Sequence, residues 1–278
     1  MITDLFVEKY RPQTIEDCIL PKHLKETFTE IVKTGEVPNL LLTGTSGLGK
    51  TTVARAICNE LGLDYILINA SEDGNIDTLR GKIKQFASSI SLSGGYKVVI
   101  LDEADYLNAS STQPALRGFM EEFSKNCRFI LTCNFKNKII EPLHSRCGVY
   151  EFNTTKKIMA ELCQQFMGRA IDICKQENVT ISSEQMLAEL IMQHAPDWRR
   201  VLNEMQRHSN GGTLTLNAGG GSVSTNLAEL FTFLKNKKFT DMRKWVAQNM
   251  DVESAAIFRG IYDHMTDAVT PESIPALV

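Results

Sequence analysis

No two of the chain's seven cysteines (Cys18, Cys58, Cys127, Cys133, Cys147, Cys163 and Cys174) have the CxxC spacing. Scattered and odd in number, they support neither a disulfide framework nor a zinc module, and they read as buried or half-buried thiols. A large net charge is absent too. The formal charge of -3 over 278 residues means that any nucleic-acid partner would meet a local basic stripe rather than a basic coat. Apolar runs are short: Val98 to Leu101 is among the longest, against the roughly 20 residues of a membrane span. The opening "MITDLFVEKYRP" places an acid early and a proline soon after, unlike a basic-then-apolar leader. These absences predict a soluble, cytoplasmic protein of two or three domains with no membrane partner.

What is present is alternation. Between Pro38 and Phe152 the stretches "NLLLT" (39–43), "YILIN" (65–69), "KVVIL" (97–101), "RFILT" (128–132) and "VYEF" (149–152) are nearly continuous in Ile, Leu and Val, and amphipathic segments separate them. Continuous apolarity with intervening helices predicts an α/β fold with a parallel sheet covered on both faces. After Asn153 the pattern turns helical. "TTKKIMAELCQQFMGRAIDICKQ" repeats Ile158, Leu162, Phe166, Ala170 and Ile173 at helical spacing, "SSEQMLAELIMQ" opens on a serine cap, and "PDWRRVLNEMQRHS" follows. Five glycines between Asn210 and Gly221 read as a connector. A short strand over Thr213 to Leu216 is the alternative reading there.

The stretch "GTSGLGKT" follows the first strand and precedes a helix, and it fits G-x-x-x-x-G-K-[ST]. Glycines let successive backbone N–H groups turn inward around a phosphate, and the helix points its positive end at the same place. The predicted cradle is Gly44, Thr45, Ser46, Gly47, Leu48, Gly49, Lys50, Thr51 and Thr52. In this motif Lys50 reaches the β- and γ-phosphates and Thr51 offers its hydroxyl to Mg²⁺. The expected ligand is ATP with Mg²⁺.

Hydrolysis needs a metal-coordinating acid and a group that polarises water. "KVVILDEAD" ends an apolar strand with Asp102, suited to Mg²⁺, and Glu103, suited to the attacking water. Acids that merely cap a helix would account for Asp105 but not for this pair. Asn134 ends the strand "RFILTCN". It would stand near the γ-phosphate if its strand lies between the other two, because ligands sit outside the carboxyl ends of parallel strands; alone it would be an ordinary turn residue.

Taken together, "VEKYRP" (7–12), "GTSGLGKTT" (44–52), "INASEDGNIDTLRGKIKQFA" (68–87), "VVILDEAD" (98–105), "FILTCN" (129–134), "SRC" (145–147) and "PDWRRVLNEMQ" (196–206) resemble the AAA+ clamp-loader ATPases. That family includes replication factor C small subunits and phage clamp-loader large subunits, and the motifs occur in its order across residues 7 to 208. The resemblance implies an AAA+ nucleotide-binding domain with a five-stranded sheet (1–153), a helical lid (154–209), a glycine-rich linker (210–225) and a partial helical collar (226–278). It implies that Tyr10, Arg11 and Pro12 pack around the adenine and that Arg146 reaches the ATP of a neighbouring subunit. Arg199, rather than Arg200, would contact the phosphates of its own subunit's ATP. The implied partners are a sliding clamp, a clamp-loader small subunit, further copies of this chain in a hetero-pentameric spiral, and primer–template DNA.

The segment "IDTLRGKIKQFA" adds a reading of its own. Ile76, Leu79, Ile83 and Phe86 form an inward stripe, and Arg80 and Lys84 sit four apart on another face with Lys82 nearby. Such a row can track a phosphate backbone without reading sequence, although most basic rows are simply solvated. The resemblance favours DNA, with Gln113 and Arg117 of the next helix as weaker candidates. The chain departs from the family in lacking the P-loop proline, in having Pro196 where a glycine precedes the lid arginine motif, and in a collar shorter than a full helical bundle, which predicts a truncated or abbreviated C-terminus. Two rival readings stand beside the clamp loader: another ring-forming AAA+ motor, and an ATP-binding assembly subunit without turnover. A motor usually carries an aromatic pore loop. Tyr96 in "SLSGGY" is the nearest feature, and it reads as a packing residue.

Overall fold

A computed structural model describes residues 5–72, 74–89, 91, 95–209, 212–214, 229–234, 236–248 and 257–258. Five strands, β1 (Leu40–Thr43), β2 (Tyr65–Asn69), β3 (Lys97–Asp102), β4 (Cys127–Cys133) and β5 (Gly148–Glu151), follow the predicted stretches to within a residue or two. All pair in parallel, in the order β2-β3-β4-β1-β5. Six helices accompany them: α1 (Phe6–Lys9), α2 (Lys22–Thr34), α3 (Lys50–Glu60), α4 (Ile76–Ser88), α5 (Thr112–Glu122) and α6 (Glu141–His144).

Side chains alternate across a strand, so a sheet covered on both faces needs apolar residues at every position. Leu41, Val99, Leu101, Phe129 and Leu131 enter one core layer, packed on Leu79 and Ile83 of α4 and Leu116 and Phe119 of α5. Leu40, Leu42, Val98, Ile100 and Ile130 enter the other, against Phe28 of α2 and Val53 and Ile57 of α3. Each such side chain contributes roughly 1.5–3 kcal/mol by leaving water. The sheet is thus a rigid base, and its carboxyl edge presents the ends of β1, β3 and β4 side by side.

Helix α4 starts on Asn75, whose side chain accepts from the Asp77 N–H at 3.0 Å. Its inward face is Leu79, Ile83 and Ala87, with Ile76 and Phe86 half-buried, and Arg80, Lys82 and Lys84 are exposed. Gln113 requires a correction. Expected at a DNA surface, it is fully buried, and its amide nitrogen donates to the Leu107 and Lys138 carbonyls at 3.0 and 2.9 Å while its oxygen accepts from Ile140 N–H at 2.8 Å. A buried amide satisfied in this way joins three backbone segments and has nothing left to offer a ligand. Tyr96 does pack: it is half-buried, its hydroxyl accepts from Val37 N–H at 2.8 Å, and it donates to the Gly35 carbonyl at 2.9 Å. Residues 92–94 of the same stretch lie outside the described residues.

The lid comprises α7 (Lys156–Gln176), α8 (Glu184–His194) and α9 (Trp198–His208), capped by Thr155, Ser183 and Asp197 respectively. The stretch from 210, expected as a connector, holds β7 (Thr213–Leu214), which pairs in parallel with β6 (Thr180–Ile181). The strand reading therefore holds for two residues, Thr213 and Leu214, and all of 215–228 lies outside the described residues. Contacts divide the chain into two compact units, Met1–Thr215 and Leu216–Val278. The second contains α10 (Phe239–Gln248), and in it Leu230 and Trp245 are buried among Phe231, Phe233, Met242 and Ile257. Much of the expected collar falls outside the described residues.

Candidate nucleotide site

The loop after β1 is shaped by main-chain crowding. Gly44 has φ 151°, and a Cβ there would stand 2.8 Å from the Phe152 carbonyl oxygen. At Gly47 (φ 86°) a Cβ would come within 3.0 Å of the Asp197 Cα and 3.2 Å of the Pro196 carbonyl, at the start of α9. Gly49 precedes α3 and supplies no side-chain acceptor to its first turn. Unclaimed N–H groups and the positive end of the helix make this cradle suitable for phosphate. Leu48 differs from its neighbours in that its side chain is buried in the core layer beneath the loop.

Lys50 is 7% exposed. Its ammonium donates to the Gly44 and Thr45 carbonyls, both at 2.8 Å, and to Asn134 Oδ1 at 2.9 Å. Burial lowers its pKa, and the nearby Asp102, Asp105 and Glu103 act against that shift. Asn134 follows β4, which lies between β1 and β3, so the condition set for its approach to the phosphate end of the site is met.

The acidic side is organised around Asp102. Its Oδ1 accepts from the Thr51 and Thr132 hydroxyls, each at 2.5 Å. Thr132 in turn accepts the Glu103 N–H at 3.1 Å. Glu103 sits at φ 56°, a left-handed conformation that costs a non-glycine residue about 1–3 kcal/mol and is found where surrounding structure imposes it. An acid and a hydroxyl held together at a phosphate cradle suit a hard cation with oxygen ligands, and Thr51 and Asp102 would hold Mg²⁺. Thr132 escaped the sequence reading because threonine in an apolar strand looks like core. We expect Thr132→Val, similar in shape but unable to make either bond, to lower ATP turnover about tenfold and to raise the Mg²⁺ concentration required, as measured by magnesium titration of steady-state hydrolysis.

One cavity of about 430 Å³ brings these groups together. Ser46, Gly47, Gly49, Lys50, Thr51 and Thr52 line its phosphate side, next to Asp102, Glu103, Thr132 and Asn134. Tyr10, Arg11 and Pro12 also line it, with Ile19 and Leu20, and the lid contributes Phe166, Arg169, Trp198, Arg199 and Leu202. Phe166 and Trp198 stack at 4.8 Å between ring centroids. Arg199 lines the cavity; Arg200 does not, and its backbone N–H is taken by the Asp197 cap at 3.1 Å. An apolar end and a polar end in one cleft suit a nucleoside triphosphate.

Arg146 stands apart. It follows α6, lines no part of this cavity, and donates to Glu121 Oε1 through Nε at 3.1 Å and Nη2 at 2.5 Å and to the Pro142 carbonyl through Nη1 at 2.9 Å. The Arg146 guanidinium holds the Glu121 carboxyl below the usual carboxylate range. The pair is partly exposed.

A model of the ATPase family associated with various cellular activities matches residues 40–155, and a model of the AAA+ ATPase lid domain of sliding-clamp-loader large subunits matches 158–216. The sliding-clamp-loader large subunit of Escherichia phage RB69 is 39% identical over 242 residues, covering 85% of this chain and 75% of the relative. That of Enterobacteria phage T4 is 37% identical over 273 residues, covering 96% and 84%. The replication factor C small subunit of Archaeoglobus fulgidus is 38% identical over 209 residues, covering 73% and 63%. A solved structure of a Thermotoga maritima RuvB variant has a TM-score of 0.56 at 20% identity, covering 72% of this chain and 64% of that one, and bears on the fold alone. The chain belongs to the clamp-loader family of AAA+ ATPases, with the phage sliding-clamp-loader large subunits and the replication factor C small subunits.

Proposed function

We propose that this chain is an ATPase subunit of a sliding-clamp loader, which uses ATP binding to open the clamp and DNA-triggered hydrolysis to release it, closed, on primer–template DNA. The observation that carries this reading is the division of the arginines. Arg199 lines the chain's own cavity, whereas Arg146 lies outside it on a partly exposed surface, as a composite site between subunits requires. Lys50 and the loop N–H groups bind the triphosphate, Asn134 orients the γ-phosphate end, and Glu103 polarises the attacking water. Thr51 and Asp102 would hold Mg²⁺, which would supply positive charge to offset that of the triphosphate. Arg146 completes the site of the adjacent subunit, where its planar charge stabilises the transferring phosphoryl group.

In this reading copies of the chain and one small subunit form a hetero-pentameric spiral in the cytoplasm, which is the host's if a phage encodes the chain. The exposed Arg80, Lys82 and Lys84 on α4 supply a sequence-independent grip on the DNA backbone. The test is ATP hydrolysis by the chain with its small partner subunit, on adding primer–template DNA and then clamp. Stimulation that requires both supports the assignment. Turnover indifferent to clamp but coupled to strand or protein translocation would replace it with the motor reading, and absence of turnover in every mixture would leave a nucleotide-binding assembly subunit.

A further inference from the structure

The wall of the cavity formed by Tyr10, Arg11 and Pro12 belongs to the N-terminal segment, but the hydrogen bonds that hold its first part come from the lid. The Tyr10 hydroxyl donates to Glu177 Oε1 at 2.5 Å, and the Lys9 ammonium donates to the same oxygen at 2.6 Å. Arg169 of α7 donates through Nη2 to the Tyr10 carbonyl at 2.7 Å, and Gln206 of α9 accepts the Phe6 N–H at 2.9 Å. Three residues beyond Tyr10, at Gln13, the attachment to the α/β domain begins. Gln13 Oε1 accepts from Asn59 at 2.8 Å, and Ile15 N–H donates to Glu60 at 2.8 Å, both at the end of α3. Arg11 and Pro12 lie between these two sets of anchors, and α7 reaches the segment again beyond them, where Arg169 donates to the Asp17 carbonyl at 3.1 Å and Gln165 donates to the Leu20 carbonyl at 2.9 Å.

Glu177 occupies the C-terminal cap of α7. An acid there opposes the helix dipole, so the stability of α7 itself does not account for it. Its partners do. Two donors converge on one oxygen, and Glu177 lies 167 residues from the tyrosine it receives.

We propose that Glu177 is a positioning residue for base recognition: by fixing Tyr10 to the end of α7 it makes the base-side wall part of the lid, so that the lid's angle and the fit of the base change together. The inference rests on the assignment of this cavity to ATP. Rotation of the lid would move Arg199 and Tyr10 as one body, linking contact at the phosphates to contact at the base. A nucleotide that lacks the correct base would then fail to hold the lid, even with its phosphates fully bound.

The test compares two ligands by calorimetric titration in the presence of Mg²⁺: ATP, and inorganic triphosphate, which has no base. Tyr10→Phe removes only the hydroxyl, and Glu177→Gln keeps the shape but not the charge. Each is expected to weaken ATP binding about tenfold, the cost of a lost charge-assisted bond, and to leave triphosphate binding unchanged. The double variant is expected to lose no more than Tyr10→Phe alone, because without the hydroxyl the charge at position 177 has no bond to Tyr10 left to strengthen. Unchanged ATP affinity in both single variants overturns the proposal, and so does equal weakening of ATP and triphosphate, which would mean general damage to the lid. Failure of the unsubstituted chain to bind ATP would instead remove the nucleotide assignment, and this inference with it.

Discussion

Glutamine in place of Glu103 is expected to lower ATP turnover by about 10²–10⁴-fold while leaving ATP affinity within a few-fold of the unsubstituted chain. The physical case begins in the backbone. Glu103 stands at φ 56° immediately after β3, and its N–H is held by Thr132 at 3.1 Å while its carbonyl accepts from Tyr106 N–H at 2.9 Å. A strained residue fixed at both ends is a placed residue. Glutamine fits the same space and the same backbone but cannot take a proton from water or polarise it as a carboxylate does. The phosphate cradle, built from Lys50 and the loop, is untouched by the change. Single-turnover hydrolysis and equilibrium ATP binding, measured on the same preparation, separate the two effects. Turnover that fell less than about tenfold would remove Glu103 from the chemistry and turn attention to Asp105, whose carboxylate is buried and accepts from Phe135 N–H at 3.3 Å.

Arg146→Ala is expected to have a comparable effect of about 10³-fold, but only on hydrolysis stimulated by DNA and clamp in the assembled complex. In the isolated chain the same substitution should be nearly silent. Arg146 lies outside the cavity, and its ion pair with Glu121 is partly exposed on both sides, a class of contact worth about 0–1 kcal/mol. The contrast between the isolated and the assembled protein is the informative quantity. Mixed assemblies containing one variant subunit would lose stimulation at one site per substitution if the arginine acts across an interface. Equal loss in the isolated chain would mean that Arg146 supports its own fold or its own site. Undiminished stimulation in the complete assembly would exclude it from the reaction.

The proposed site was legible in the sequence where its motif is local. The cradle from Gly44 to Thr51 and the acids after "VVIL" declare themselves because backbone conformation, charge and strand-end position coincide within a few residues. Asn134 was legible only conditionally, since its meaning depended on the order of strands, and β4 does lie between β1 and β3. Thr132 was not legible, because one hydroxyl in an apolar strand has no periodic signature, yet it links Asp102 to the backbone of Glu103. Gln113 was misread for a related reason. At the start of a helix a glutamine looks available, and only the fold reveals that three backbone segments converge on its amide. Glu177 lay beyond any local pattern, because its partners are far away in the chain.

Loop and lid come close together at Gly47, where even a methyl group would crowd the Asp197 Cα and the Pro196 carbonyl. A side chain in such a position could turn aside by changing rotamer, but two backbones have no such freedom. The contact therefore sets a hard stop. At this point loop and lid can press no closer than the thickness of the chain allows, and that limit is set by the chain rather than by the ligand it holds.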